Sequence, residues 1–504
     1  MRTPALQAVP RHFATPPWDR SSPQWQDIDH RLPEDHPARL IDHAVDHLDL
    51  SALFDSYGGT GSRAYRPDLM LKIVLYELHT GEQSPTRWAR DVRFRDELKW
   101  LGRGIRPSRS RLFDFRDRLG PLLVTFHQQV LKHATELGMT TASRAALDGT
   151  ALPASASRHR LRNRATLQKR LGQLAEAIAR DQQGQVSGRR PGWMAGTPRG
   201  RLRQQACYQA AQERLRGRIL ENARRPASRR RDPEKLVVST SEVETALGLD
   251  KSRVYRPLYN LQLVYDLDSE LILGSAVFAQ ATDTGTLGPM LETVVSLMGR
   301  PPEALLADAT YANIGDATIC ARSGVVLYAP FRENDYSGAQ PEARQGKKIA
   351  KDQFTWDADR QVYRCPEGQE LGYVSHRTEG RAGGQEVVLE LYRCPGELCR
   401  ACPRRLACTR NPAAGRTVSR ARGEEVMEAL RGRMKSAEGQ ALYKLRRQTV
   451  ERGFADLKAH RRLERLRCRG LEHARTQVGL NILVHNLVEV ARHAWMAKPM
   501  RMVC

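Results

Sequence analysis

The chain has 504 residues, is 40% hydrophobic and carries a formal net charge of +24, from 81 Lys and Arg against 57 Asp and Glu. That length can bury a sizeable core in more than one domain, and that charge favours a polyanionic partner over a ribosome-associated or merely basic role, because each neutralised phosphate releases condensed counterions. No run of about 20 apolar residues and no signal-peptide-like stretch occurs, so neither a helical membrane span nor secretion is expected, and the cytoplasm (with the nucleoid) is the expected compartment.

In chain order, residues 1–28 are polar and Pro-rich and are expected to be disordered. Residues 29–140 read as a helical domain. Leu69, Ile73 and Tyr76 share one helix face ahead of Gly81, with Met70 and Val74 beside them, and Ser84-Pro85 supplies a cap and a first-turn proline for the next helix. The segment RPSRSRLFDFRDRL (106–119) predicts a short basic helix with Leu112, Phe115 and Leu119 inward and Arg109, Arg116 and Arg118 outward or near the rim. Such a unit suits a helix-turn-helix reader of DNA in which Arg109 and Arg116 meet phosphates; a structural cap with a solvated basic face is the alternative.

An apolar stretch, AALDGT (145–150), then predicts a strand ending at Asp148, opening a core that runs over 141–330. Residues 155–235 interrupt it with two narrow apolar stripes, Leu167, Leu171, Leu174, Ile178 and Tyr208, Ala211, Leu215, Ile219. They predict two long antiparallel helices joined by the Gly- and Pro-rich tip 184–200. The cluster Arg224, Arg225, Arg229, Arg230 and Arg231 either contacts phosphate or keeps a helix solvated. Beyond it, LYNLQLVYDLD (258–268) and LILGSAVFAQA (271–281) read as a hairpin, followed by a helix near Leu287–Leu297 and a strand ending at Asp308. A helix near Ala312–Arg322 and the strand GVVLYAP (324–330) complete five strands in a mixed sheet. That succession is the order of a ribonuclease H-like core interrupted after its first strand.

Five of the nine cysteines fall in the segment 331–435: Cys365, Cys394, Cys399, Cys402 and Cys408. Clustering in a leaderless chain reads as metal binding rather than a disulfide framework, and the C-x2-C pair at 399–402 has the spacing of half a tetrahedral zinc site. With no second such pair, a structural Zn2+ and a reduced thiol cluster inside a small β insertion both fit. Residues 436–504 return to helix. There YKLRRQTVERGFADLK (443–458) places Arg447, Glu451 and Lys458 on one α-helical face, beside a buried stripe of Val450, Phe454 and Leu457. His485, on the apolar C-terminal helix, reads as a satisfied core histidine.

Asp148, Asp308 and Glu451 thus form a candidate catalytic set. Such carboxylates bind two Mg2+ (or Mn2+) ions roughly 3.5–4 Å apart and activate both oxygens of an in-line phosphoryl displacement. Arg447 and Lys458 suit DNA phosphates. No phosphate-cradling glycine loop is present, so ATP is not expected.

Several motifs together resemble the DDE transposases of bacterial insertion sequences. RPDLMLKIVLYELHTG and WLGRGIRPSRSRLFDFR resemble that family's N-terminal domain. LDGT, YNLQLVYD, LADATYAN, RRQTVERGFADLK and RGLEHARTQVGLNILVHNLVEV resemble its core, so the likeness covers roughly residues 30–495. The resemblance implies an α/β fold with a ribonuclease H-like core and the triad on Asp148, Asp308 and Glu451. It puts the flanking basic residues on Arg447 and Lys458, whereas Tyr443 sits one place out of the family's spacing. It further implies metal-dependent cleavage of element ends, strand transfer to target DNA, and a homodimer at synapsis. A nuclease of the same fold without joining activity and a non-catalytic DNA-binding repressor are the alternatives.

Overall fold

The computed structural model describes residues 13–58, 62–184, 190–225, 227–331, 349, 351–380, 386–409 and 411–496. The chain divides into two compact units, one of residues up to 141, 149–282 and 451–504, the other of 142–148 and 283–450.

The first unit opens with helices α1 (Pro23–Arg31), α2 (Pro37–Asp46), α3 (Ser51–Asp55), α4 (Pro67–His79), α5 (Pro85–Asp91), α6 (Asp96–Leu101), α7 (Arg109–Leu119) and α8 (Leu123–Glu136). Prolines in the first turns of α1, α2, α4 and α5 fix the backbone where no intrahelical donor is needed. The expected disorder of 1–28 is corrected for 13–28: Phe13 is buried, Ala14 N donates to Ala64 O at 2.8 Å, and Trp25 stacks on Trp100 at 5.3 Å. Apolar anchors outweigh local polarity there; residues 1–12 lie outside the described set.

Helix α4 is buried on every face, not on one stripe. Its charges Asp68, Lys72 and Glu77 are therefore internal. Lys72 Nζ sits between Asp42 (2.6 Å) and Asp46 (2.5 Å), while Glu77 is fully buried with Arg95 3.8 Å away. Burial pushes the Glu77 carboxyl from 4.5 up to about 8, against the opposing pull of Arg95. A carboxyl raised in the folded state favours folding while protonated. Its effect on stability therefore declines as pH rises from about 4.5 to about 8 and then levels off. Glu77→Gln is expected to flatten that decline and raise the melting temperature at pH 8 relative to wild type; equal pH profiles in thermal unfolding would contradict this burial effect.

Strand β1 (Arg144–Pro153) passes from the second unit into the first between Asp148 and Gly149. In the first unit β2 (Leu161–Arg162) and β3 (Val238–Ser239) pair at the base of an insertion made of α9 (Arg164–Gln182) and α10 (Pro198–Ala223). The two apolar stripes meet as expected: Leu167 and Leu174 pack with Tyr208, Ala211 and Leu215. The buried Arg201–Asp181 pair joins the start of α10 to the end of α9, which makes the helices antiparallel. Residues 185–189 of the predicted tip lie outside the described set. Strands β4 (Ala246–Leu249) and β6 (Ile272–Phe278) each pair antiparallel with β5 (Tyr255–Asp266).

The second unit combines α11 (Leu287–Met298), β7 (Ala304–Leu306), α12 (Ile314–Arg322) and β8 (Val326–Tyr328), with β1, β7 and β8 in parallel order. It continues as an antiparallel five-stranded sheet of β9 (Thr355–Asp357), β10 (Val362–Arg364), β11 (Glu370–Gly380), β12 (Glu386–Arg393) and β13 (Thr417–Ala421). Short helices α13 (Gly396–Ala401) and α14 (Arg405–Cys408) lie between β12 and β13, and α15 (Glu424–Lys435) follows. Helix α16 (Ala437–Ala455) runs back into the first unit after Val450. There α17 (Leu471–Met496) packs on α2, α4, α8 and β6, so the N-terminal helices share one core with the C-terminal helix instead of standing as a separate domain. The fold is mixed α/β.

Candidate active site

Two carboxylates of the expected set belong to the second unit, and strand register brings them level. β1 and β7 run parallel with Ala146 opposite Leu306, the last pair of the ladder. Asp148 and Asp308 each lie two residues beyond that pair, so the register brings the two chains out of the ladder at the same level. Apolar residues before each aspartate (Ala145, Ala146 and Leu147; Leu305, Leu306 and Ala307) are buried and hold both segments in the core. The Asp308 carboxylate also accepts from Thr310 N at 2.8 Å, capping the short turn Ala309–Tyr311. Tyr311 in turn is buried and meets Thr286 Oγ1 at 3.0 Å.

Helix α16 contributes two further groups to the same unit. Arg446 Nη2 lies 3.1 Å from Asp148 Oδ1 and donates to Leu147 O at 3.3 Å. Burial pushes the Tyr443 phenol above its ordinary range; Arg446 opposes the shift, and Asp308 and Asp148 reinforce it. The phenol therefore stays protonated beside both aspartates. Arg446 is the residue that sequence reasoning missed. The i, i+4 relation to Glu451 had selected Arg447, which is exposed in the structure. The signal for Arg446 was its i, i+3 spacing from Tyr443, which places the two on one helix face.

Glu451 and Lys458 belong to the first unit. Glu451 is exposed on α16. Two residues on, Gly453 lies against β5, where an added Cβ would stand 2.0 Å from Tyr265 Cε1. Phe454 meets the Tyr265 ring edge-on at 5.8 Å. The α-helix then ends, and Asp456–His460 form a π-helical turn, so the single α-helical face expected to carry Lys458 with Arg447 and Glu451 does not extend that far. Lys458 donates to Thr150 Oγ1, just past Asp148 in sequence. Beneath this turn Asp456 accepts from Arg461 at 2.8 Å and meets His485 Nδ1 at 2.9 Å, with His485 Nε2 2.8 Å from Glu270 O. Burial alone would raise the Asp456 carboxyl, but His485 and Arg461 outweigh it and hold it well below the usual carboxylate range. His485 is thus the satisfied core histidine expected. Single-turn π bulges are frequent at functional sites, and this one is locked by a buried ion network.

The basic residues of α7 separate. Arg109 is exposed at its N-terminus. Arg116 is not outward as expected: it is buried, sits over Phe113 and pairs with Asp117 at 2.6 Å. Arg118 likewise turns inward, over the Tyr57 ring. Aromatic faces and local acceptors decide these orientations, which helical spacing alone does not encode. The five clustered cysteines, Cys365, Cys394, Cys399, Cys402 and Cys408, line one pocket and are all free thiols. Among the described residues no three His, Cys, Asp or Glu side chains already stand in an ion-holding arrangement.

Comparison with known protein families accords with this architecture. Residues 364–491 match the family described as Transposase DDE domain, and residues 26–118 match the Transposase domain (DUF772). No curated protein sequence matches the chain. Both matched models are transposase models. More narrowly, the two matches support a DDE transposase of insertion-sequence type, a family that generally acts on DNA and uses divalent metal ions. The DDE match takes in the cysteine segment, Arg447, Glu451 and Lys458 but begins after both aspartates, whose assignment rests on sequence motif and strand register. No described helix is long and apolar enough to cross a membrane.

Proposed function

We propose that this protein cleaves insertion-sequence ends and transfers the freed 3′ strands to target DNA, with Asp148, Asp308 and Glu451 as the catalytic carboxylates. The observation that carries the reading is the parallel register that sets Asp148 level with Asp308, with Arg446 pinned on the first and Tyr443 beside both. Paired carboxylates with a protonated phenol and a charge-balancing guanidinium fit Mg2+ or Mn2+, whose oxygen preference they match. When bound, such ions polarise a phosphoryl oxygen and lower the pKa of the attacking water or 3′-hydroxyl.

The chain's own residues have separate roles in this proposal. Arg446 orients the Asp148 carboxylate and offsets negative charge before an ion arrives. Glu451 supplies the third carboxylate from α16. Arg447 on α16 and Lys458 on the π-helical turn after it hold DNA phosphates, and the Lys458 bond to Thr150 sets its reach. Arg109 contacts phosphates from the N-terminus of α7, and Arg116, through Asp117 and Phe113, positions that helix. The ribonuclease H-like core, with its helical and cysteine-bearing insertions, is part of the same reading, as is a homodimer that synapses two ends.

A plasmid excision assay in cells tests it, with the coding sequence and native flanking DNA as donor. Excision by wild type but not by Glu451→Gln is expected. Equal excision by both would move the catalytic carboxylate elsewhere, and purified protein that nicks ends without joining them would favour the nuclease.

A further inference from the structure

The five-stranded module of the second unit has a small core: Phe354, Tyr363, Leu371, Tyr392 and Val418 complete it together with the thiols of Cys394 and Cys399. Small modules of this kind commonly need a staple, and here the cysteines are free. The thiols converge from separate places. Cys365 opens a tight turn after β10, closed by Gly368 N donating to Cys365 O at 2.8 Å. Cys394 follows β12, Cys399 lies on α13, Cys402 follows that helix and Cys408 ends α14. All five line one pocket, together with Arg405 and Arg416.

We infer that this pocket binds one structural Zn2+ through Cys365, Cys399, Cys408 and a fourth thiolate supplied by Cys394 or Cys402. The three named thiols reach the pocket from three separate places, the turn after β10, α13 and the end of α14. Cys394 is buried, where a charged sulfur is costly by itself. A soft divalent cation reverses the penalty on the charged sulfurs, taking up four thiolates and releasing their protons.

The surroundings suit a cluster of net negative charge. Arg416 N donates to Cys399 Sγ at 3.4 Å, a backbone bond of the kind that steadies a thiolate ligand. The Arg416 guanidinium is fixed to Cys408 O (3.1 Å) and Ile349 O (2.8 Å), while its buried Nε has no hydrogen-bond acceptor in the structure. Among the described residues no three of these thiols already stand in an ion-holding arrangement, so in this proposal ion binding is coupled to local rearrangement of the module. Cys394 is favoured for the fourth place by burial, Cys402 by its C-x2-C spacing with Cys399.

Metal analysis of the full chain, purified without chelator, tests the inference independently of any DNA activity. About one zinc per chain is expected. Cys365→Ser, Cys399→Ser and Cys408→Ser should each abolish it, as should one of Cys394→Ser and Cys402→Ser. Because these variants can misfold, the wild-type protein is also loaded with Co2+ alone: thiolate-to-cobalt absorption and tetrahedral d–d bands are expected. Zinc near zero with no cobalt spectrum, bound iron with visible colour, or zinc retained after all three core substitutions would each overturn it.

Discussion

Asp308→Asn is expected to lower DNA cleavage on the order of 10^4-fold while leaving end binding and folding intact, as loss of a single member of a catalytic set commonly does. The amide keeps an oxygen to accept from Thr310 N, so the capped turn after β7 survives and a loss of activity is not a loss of structure. What disappears is the negative charge level with Asp148, the one feature a divalent cation requires at that position. Cleavage assays, mobility shift with terminal DNA and thermal unfolding would be read together. Asp308→Cys adds a further arm, since a soft sulfur ligand shifts preference from Mg2+ towards Mn2+. Full activity of Asp308→Asn in Mg2+ would refute the metal assignment.

The second large effect is expected at Gly453. An alanine Cβ there would lie 2.0 Å from Tyr265 Cε1 and 2.7 Å from its Oη, far inside van der Waals contact. Tyr265 is buried on β5 and packed edge-on against Phe454, so it has little room to retreat. Gly453→Ala should therefore cost about 1–3 kcal/mol of stability and shift the turn of α16 that carries Glu451, lowering activity as well. Pairing it with Tyr265→Leu should recover part of the melting temperature. A wild-type melting temperature for Gly453→Ala alone would show that the helix and strand do not approach as described.

Much of this was legible in the chain. Buried parallel strands are continuous apolar runs, so AALD and LLAD announced both the strands and the aspartates after them. The paired stripes of the insertion were equally clear, because each amphipathic helix needs a partner for its apolar face. Other features were not. The Pro-rich start reads as disordered until Trp25 finds Trp100. β4 is a four-residue strand whose pairing depends on β5, with little signal of its own.

Local sequence, then, determined the elements, their order and the residue types able to bear phosphoryl-transfer chemistry, because periodicity and turn signals act over a few residues. Tertiary structure decided which of two adjacent arginines meets Asp148. A one-residue step turns a helix by about 100°, and only packing fixes which side faces the strand. It likewise turned Arg116 inward onto Phe113 and Asp117, enclosed Lys72 and Glu77 on a helix read as one-sided, and gathered five separated cysteines around one pocket. Each of these depends on partners distant in sequence, whose positions are set by the whole fold rather than by the residues beside them.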